Sequence, residues 1–457
     1  MTEPNLYRAD FSARIRKLLL PIIIQNLLSA AVGSADVIML NYVGQSAISA
    51  VSLASNYGNI LFNVYYGLGT GATMLCAQYY GKGDLRAICA VEGIALRFSM
   101  TFSAIAAACA LLCPAWMMRL FTNDGELIEI GSRYLRVMGI TYLCWGMIEI
   151  YLSVLRSMGR VKICMFLNIL AFGLNVLLNA VFIFGLFGAP RLGAFGVAIA
   201  TAVSRIVELI GCFLVSLGAE VKLNPKYLLL RNRELSRDFR NMALPALGND
   251  LSWGVAFSMY SVILGHLGND AVAANAIVIV VRNLSTTFCF AVASAGSILL
   301  GNVMGEGDLE RAEGFASRLL KLTIVTGAVG GAIILALTPL ILRMSADSFT
   351  PTALSYLRGM LLINTYYVMG VSINTTLIAG VFRAGGDTKF GLICDTIDMW
   401  GYAVPLGFLA AFVLKLPVMW VYFLLCTDEF VKWPWVFRRY RSKSWLKNIT
   451  RENLEYQ

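Results

Sequence analysis

The stretch YYGKGDLRA (79–87) returns as VMGEGDLER (303–311), 224 residues further along the chain. Other pairs keep the same offset: LLLPIIIQN (18–26) matches MALPALGND (242–250), and YVGQSAISAV (42–51) matches HLGNDAVAAN (266–275). In both GKGD and GEGD, the glycines permit a tight reversal of the chain, and the aspartate can cap the helix that follows. The repeat predicts two halves that are built on one plan.

The composition is that of an integral membrane protein. Hydrophobic residues make up 58% of the 457 residues and charged residues 14%, with a mean hydropathy of +0.70. Soluble domains carry about 25% charged residues, and a spanning helix needs about 20 mostly apolar residues. Twelve such segments occur: 15–41, 47–78, 91–114, 130–155, 163–187, 193–217, 240–265, 271–301, 314–342, 353–381, 388–414 and 416–436. The prediction is an all-α protein of twelve transmembrane helices, six in each half.

The basic residues predict the orientation in the membrane. If the N-terminus lies in the cytoplasm, most of the 37 Lys and Arg residues fall at the inner face, as the positive-inside rule requires. The net charge of +10 then faces anionic lipid and is no sign of a nucleic-acid partner. We expect a multi-pass protein of the plasma or inner membrane with both termini in the cytoplasm. The ten cysteines are scattered and show neither a disulfide nor a metal pattern.

An even number of spans per half inserts both halves the same way round, as a parallel repeat. We predict an N-lobe over residues 1–220, a cytoplasmic loop over 221–239, and a C-lobe over 240–457 that ends in a basic tail. Pro21 and Pro245 occupy matching positions in the two halves. Each removes a backbone hydrogen bond early in a span and predicts a bend there, either a hinge or a passive kink.

Asp36 lies within SAAVGSADVIMLNYVG (29–44), the outer half of the first predicted span. A charged group at the centre of a spanning helix costs roughly 2.5–3.5 kcal/mol on insertion scales. Such residues usually mark a functional site, so Asp36 is the leading candidate for one.

An ordered set of motifs resembles the multidrug and toxic compound extrusion (MATE) family over essentially the whole chain. The set comprises Pro21, Asp36, YYGKGD, LRSMGR (155–160), NVLLNAVFIFGLFG (175–188), GAFGVAIATAVS (193–204) and FRAGGDTK (382–389). The basic tail RRYRSKSWLK (438–447) is similar to that of the bacterial, DinF-like members. The resemblance implies two six-helix lobes in a V around a central cavity, and drug export driven by inward H⁺ or Na⁺.

The resemblance also implies a cation-coupling site in the N-lobe. Asp36 matches the family's first-span aspartate, Asn175 a fifth-span asparagine, and Thr201 a sixth-span threonine. Asn179 stands where some members carry a second aspartate, which leaves the choice between H⁺ and Na⁺ open. Asn175 and Asn179 are four residues apart and share one helical face, so with Thr201 they offer oxygens beside a carboxylate.

Further polar residues in the spans are candidates for the substrate cavity: Asn26, Glu149, Asp250, Arg282, Asp395 and Asp398. The alternative for each acid is a structural ion pair with a nearby base such as Arg282 or Arg205, and Glu149 lies about two turns from Arg156. NorM-type members carry acids on the seventh and tenth spans, a pattern that this tenth span does not reproduce. Asp428 and Glu429 are predicted to pair locally with Lys432.

These observations favour a secondary active exporter of organic, cationic compounds that works by alternating access, with Asp36 as the coupling carboxylate. An alternative is a flippase for a lipid-linked precursor, although such proteins usually need a basic cavity and acids here outnumber the bases. A membrane enzyme with Asp395 and Asp398 as a Mg²⁺ pair is a further alternative that lacks a second aspartate-rich motif. We expect no cofactor besides the coupling ion, a monomer, and small organic molecules and lipids as partners.

Overall fold

The computed structural model describes residues 3–40, 42–230, 232–346, 349–452 and 454, without the side chains of 3–8, 30, 32–38, 225 and 229. Within these residues the regular secondary structure is helical. The first half contains α1 (Glu3–Leu40), α2 (Gln45–Lys82), α3 (Leu85–Leu112), α4 (Pro114–Arg119), α5 (Gly125–Ser157), α6 (Val161–Phe184) and α7 (Gly193–Leu217). Short 3₁₀ turns cover Leu186–Gly188 and Pro225–Leu229.

The second half begins with four long helices: α8 (Arg233–Gly265), α9 (Asn269–Gly305), α10 (Leu309–Ser345) and α11 (Pro351–Thr375). Shorter helices follow: α12 (Thr388–Thr396), α13 (Val404–Phe408), α14 (Val418–Leu425), α15 (Asp428–Val431) and α16 (Trp433–Arg441). Wider π-helical turns cover Thr376–Phe382, Ile397–Ala403 and Leu409–Val413. Nine helical stretches in the described residues are long and apolar enough to cross a membrane.

Helices cover all twelve predicted spans in order, which confirms the all-α membrane fold with two six-helix halves. The last predicted span (416–436) differs from a single helix. It is interrupted after Leu425 and resumes at Asp428. The Asp428 carboxylate accepts from the backbone N–H of Glu429 there, so a side chain satisfies a backbone donor at the interruption.

The loops of the repeat have the predicted geometry. Gly83 and Gly307 have φ values of 80° and 87°, a region that a residue with a Cβ rarely adopts. Asp84 accepts a hydrogen bond from the backbone N–H of Ala87 at 3.0 Å, and Asp308 accepts one from Arg311 at 2.9 Å. Both aspartates therefore cap the N-terminus of the following helix, as the sequence predicted.

Backbone contacts divide the chain into two compact units. One contains Met1–Leu19 and Gly248–Ile449, and the other contains Leu20–Leu247 and Thr450–Gln457. The chain passes from one unit to the other inside α1, next to Pro21, and inside α8, next to Pro245. Both helices continue through their prolines without interruption. The linear lobe boundaries of the sequence analysis stay a prediction.

Each unit has its own apolar core. In the unit that contains α2 to α7, the Tyr65 hydroxyl donates to the carbonyl of Tyr142 at 3.1 Å and accepts from Ser103 at 2.8 Å. Buried hydroxyls that are satisfied in this way hold spanning helices together where lipid supplies no partner. The other unit packs α9, α10, α11 and α14 around Tyr367, Leu361 and Val278.

Candidate functional site

Asn175, Asn179 and Thr201 form one hydrogen-bonded chain in the unit that contains α6 and α7. Asn175 donates from Nδ2 to Thr201 Oγ1 at 3.2 Å, and Asn179 donates from Nδ2 to Asn175 Oδ1 at 3.3 Å. The Thr201 hydroxyl donates to the carbonyl of Val197 at 3.0 Å. Both asparagines are buried. The spacing of four residues places both amides on one face of α6, as the sequence predicted.

The predicted coupling carboxylate, Asp36, belongs to α1, and its side chain lies outside the described residues. The polar chain on α6 and α7 offers amide N–H donors and carbonyl and hydroxyl oxygens. Groups of this kind can bind either an ionised carboxylate, a protonated one, or a small cation next to it.

A second polar site centres on Lys432, in the short connection between α15 and α16. Its ammonium lies 3.1 Å from Asp395, 3.2 Å from Glu429 and 3.7 Å from Asp398. Lys432 and Asp398 are each 1% exposed, and Asp395 and Glu429 are buried as well. Buried charges need this kind of pairing, because an isolated one costs far more than a hydrogen bond supplies.

Further polar and aromatic contacts adjoin Lys432 and its three acids. Asp428 accepts a hydrogen bond from the Tyr260 hydroxyl at 3.0 Å, and Asn374 donates to the Glu429 carboxylate at 2.6 Å. The Lys432 ammonium also lies 5.7 Å from the ring centroid of Trp253. We use "lysine cluster" below for Lys432 with the four carboxylates of Asp395, Asp398, Asp428 and Glu429.

The sequence predicted only the local part of the lysine cluster. The pair of Glu429 with Lys432 is present, but Asp428 binds Tyr260 instead of the lysine. Asp395 and Asp398 join the lysine from a helix more than thirty residues away. The available signal consists of two acids in one apolar span and an acid–lysine group in the next, and their contact depends on how the two spans pack.

Two other candidates are in ion pairs. Asp250 accepts from Arg383 at 2.7 Å rather than from Arg282 or Arg205. Glu149 accepts from Arg156 at 2.6 Å, the base two turns away that the sequence indicated. Both acids therefore form an ion pair of the kind that the sequence analysis gave as the alternative to a role in the substrate cavity.

The remaining candidates have other surroundings. The Arg282 guanidinium lies over the ring of Phe257 at 4.8 Å, a cation–π contact, and Asn26 is half-buried on α1. Arg205 pairs with the buried Glu208 at 2.7 Å. Glu92 was not among the predicted site residues. It is fully buried on α3, and its carboxylate has no hydrogen-bond partner among the described residues.

The proposed Mg²⁺ pair of a membrane enzyme finds no support in the part of the chain that the structure describes. No group of three His, Cys, Asp or Glu side chains there could hold a metal ion. Asp395 and Asp398 instead face the ammonium of Lys432.

Comparisons with known proteins match both halves of the chain. The MatE family matches residues 21–181 and 247–409. A Bacillus subtilis strain 168 protein named as the uncharacterized transporter YisQ is 23% identical over 440 residues, which cover 96% of each chain. The probable multidrug resistance protein NorM of Thermotoga maritima is 24% identical over 444 residues, which cover 96% of this chain and 94% of the relative.

Solved structures share the fold. An outward-facing multidrug resistance MATE family transporter of the MOP superfamily has a TM-score of 0.86 at 20% identity, over 97% of this chain and 99% of that one. A MATE protein in the bent conformation has a TM-score of 0.84 at 20% identity, over 97% and 98%. At this identity the likeness concerns the fold.

Proposed function

Since the chain belongs to the MatE family, we propose that this multi-pass membrane protein exports organic cations in exchange for an inward-moving H⁺ or Na⁺. The observation that carries the export function is the match of both halves to that family, together with full-length similarity to a protein named as a probable multidrug resistance protein. Members of the family are transporters, so the chain is a carrier rather than an enzyme.

The polar chain of Asn175, Asn179 and Thr201 supports the coupling step of this proposal. Asp36 is the carboxylate that takes up and releases the ion. The amides and the hydroxyl are its partners when the ion leaves. Desolvated acids inside a membrane bundle are usually found on ion pathways, which is why a single aspartate among apolar residues suits this role.

The free energy cost of export can be compared with the free energy that one coupled ion supplies. A hundredfold gradient of a neutral solute costs roughly 2.7 kcal/mol, and one charge that crosses 100 mV supplies about 2.3 kcal/mol. A cation that leaves a negative interior costs about 2.3 kcal/mol more. The membrane potential acting on one ion then supplies less than half of the total cost of roughly 5.0 kcal/mol, so the concentration gradient of the ion or a second ion has to supply the rest.

Alternating access requires parts that move against each other. We propose the two six-helix lobes, over 1–220 and 240–457, as these parts, with α1 and α8 as the elements that transmit the movement. The protein is proposed to act as a monomer in the plasma or inner membrane, with both termini in the cytoplasm and small organic molecules and lipids as its partners.

The test is ethidium efflux from cells that lack their own pumps. Wild type is expected to lower intracellular ethidium, and Asp36→Asn is expected to lose this activity because the variant cannot exchange an ion. Loss of efflux on addition of a protonophore would identify H⁺ as the coupling ion. Loss of efflux when Na⁺ is replaced by K⁺ would identify Na⁺. Glu129→Gln, which alters an exposed pair with Arg133, is the control and should pump like wild type.

Normal efflux by Asp36→Asn would contradict the coupling role of this carboxylate. If wild type reaches the membrane but does not pump, ethidium export is wrong and a flippase substrate becomes the next compound class to assay.

A further inference from the structure

The lysine cluster adjoins several stretches of irregular backbone. Asp398 lies in the π-helical turn Ile397–Ala403, and Asn374 lies two residues before the one at Thr376–Phe382. Asp428 begins the helix that follows the interruption of the last span. Wide turns and broken helices inside membrane bundles are typical of ion and substrate sites, where backbone and side-chain groups must be aimed inward.

The charges of the lysine cluster do not balance. Three of the four buried carboxyl groups lie within 3.7 Å of the one ammonium, so full ionisation of the cluster would leave three negative charges in excess among buried side chains. Lys432 hydrogen-bonds Asp395 and Glu429, while Asp428 has the Tyr260 hydroxyl. Burying unpaired carboxylates of this kind is strongly unfavourable, and protonation is the ordinary way in which a protein avoids it.

Asp398 differs from the other three acids of the lysine cluster, because it has no hydrogen bond among the described residues. Neither of its oxygens has a hydrogen-bond partner among the described residues, and the Lys432 ammonium is 3.7 Å away, beyond hydrogen-bond distance. The charged and titratable groups near Asp398 come from its own helical stretch and from the helices packed against it: Cys394, Asp395, Tyr260, Asp428, Glu429 and Lys432. Three of the six are acids and one is a base, so the surroundings favour the neutral form of Asp398.

We propose that Asp398 binds a proton and, with Lys432, forms a second ion-coupling site in the second half of the molecule. The proposal that protons bind here stands on the lysine cluster alone; its role in transport rests on the proposed antiport function. The acids come from the eleventh and twelfth spans, unlike the seventh and tenth spans of NorM-type members.

The chemistry is a simple proton transfer. A proton from water adds to one oxygen of Asp398 and makes this carboxyl neutral, while Lys432 stays bound to Asp395 and Glu429. When the proton leaves, the Asp398 carboxylate competes with these two acids for the same ammonium. Lys432 then shifts toward the π-helical turn Ile397–Ala403. A change of proton occupancy is thereby converted into a movement within the last two spans.

The direct test is infrared spectroscopy of the purified full-length protein in lipid nanodiscs, titrated from pH 5 to pH 9. Wild type is expected to show the C=O band of a protonated buried carboxyl, and Asp398→Asn is expected to lose it. Asp36→Asn should retain the Asp398 band, and so should the surface control Glu129→Gln. Asp398→Glu should retain a titrating band at a shifted frequency, which guards against an effect of misfolding in the asparagine variant. Identical carboxyl bands in wild type and Asp398→Asn would overturn the proposal.

The second test measures charge movement in proteoliposomes with ethidium as the probe. Two protons exchanged for one cation move net charge, whereas one proton exchanged for one cation does not. At a fixed pH gradient, a K⁺ diffusion potential should therefore accelerate wild-type transport several-fold and leave Asp398→Asn unaffected. Equal dependence on potential in the two proteins would overturn the coupling role. If wild type transports no ethidium, the proposed function fails, and the infrared band alone decides whether Asp398 binds a proton.

Discussion

Asn175 uses both ends of its amide group, because it donates to Thr201 and accepts from Asn179. Each of these bonds is worth about 1 kcal/mol in net stability, but a buried partner that is left unsatisfied costs more. The spacing of Asn175 and Asn179 predicted their shared face. The bond to Thr201 depends on how α7 packs against α6, which local spacing does not determine.

Asp10, which precedes the first predicted span, provides a prediction about pH at the same scale. Burial would raise the pKa of this carboxyl, but hydrogen bonds and charges from Arg311 and Arg14 together lower the pKa below its ordinary value. A lowered pKa in the folded protein adds to the free energy of unfolding when the pH is above the pKa of the unfolded chain, near 3.9. This contribution is lost as the pH falls through the pKa of the folded protein.

Asp10→Asn is therefore expected to reduce the free energy of unfolding at pH 7 by less than about 1 kcal/mol, since the ion pairs are partly exposed. The difference from wild type should shrink as the pH falls below about 3.9. Thermal unfolding of the purified protein at pH 7 and at pH 3 measures this. A difference that is the same at both pH values would contradict the assignment.

The repeat is visible again in single elements. α3 and α10 begin in the same way, with a glycine in the left-handed region and an aspartate that caps the helix. Such a cap is worth about 1 kcal/mol and uses only neighbouring residues, so the sequence predicted it. The π-helical turns depend on contacts with other helices, and nothing in the local sequence indicated them.

Gly385 gives a prediction at the scale of elements. A Cβ on Gly385 would collide with the carbonyl oxygen of Trp445, a buried residue whose ring stacks on Tyr440. Gly385→Ala should therefore displace the chain around Trp445 and destabilise the protein by roughly 1–3 kcal/mol. Limited proteolysis of the tail and thermal unfolding measure the change. Gly314→Ala on α10, where nothing lies within 4 Å, is the matched control and should be neutral or slightly stabilising. Equal effects of the two variants would contradict the prediction.

At the scale of the whole molecule, two helices belong to both compact units. α1 passes from one unit to the other next to Pro21, and α8 does so next to Pro245. Each proline lacks the backbone N–H that would close a helical turn, so bending at these points is easier than elsewhere. This coincidence supports the hinge over the passive kink as the role of the two prolines.

Pro21→Ala and Pro245→Ala are expected to slow ethidium efflux several-fold without loss of protein from the membrane, because the restored hydrogen bond stiffens each helix. Pro339→Ala is the matched control, since this proline lies inside α10, a helix that belongs to one unit only. Efflux rates normalised to the amount of protein measure the effect. Normal rates in both hinge variants, or an equal loss in Pro339→Ala, would contradict the hinge role.

The sequence by itself determined the membrane class, the twelve spans, the two halves and the capped turns between them. These features follow from apolar length and from turn chemistry, which act between neighbours in the chain. The tertiary structure alone decided that Asp395 and Asp398 share Lys432 with Glu429, and that Asp250 pairs with Arg383. These partners come from different helices, and packing sets which faces meet. A buried charge in a membrane bundle forms an ion pair with the oppositely charged group that helix packing places next to it.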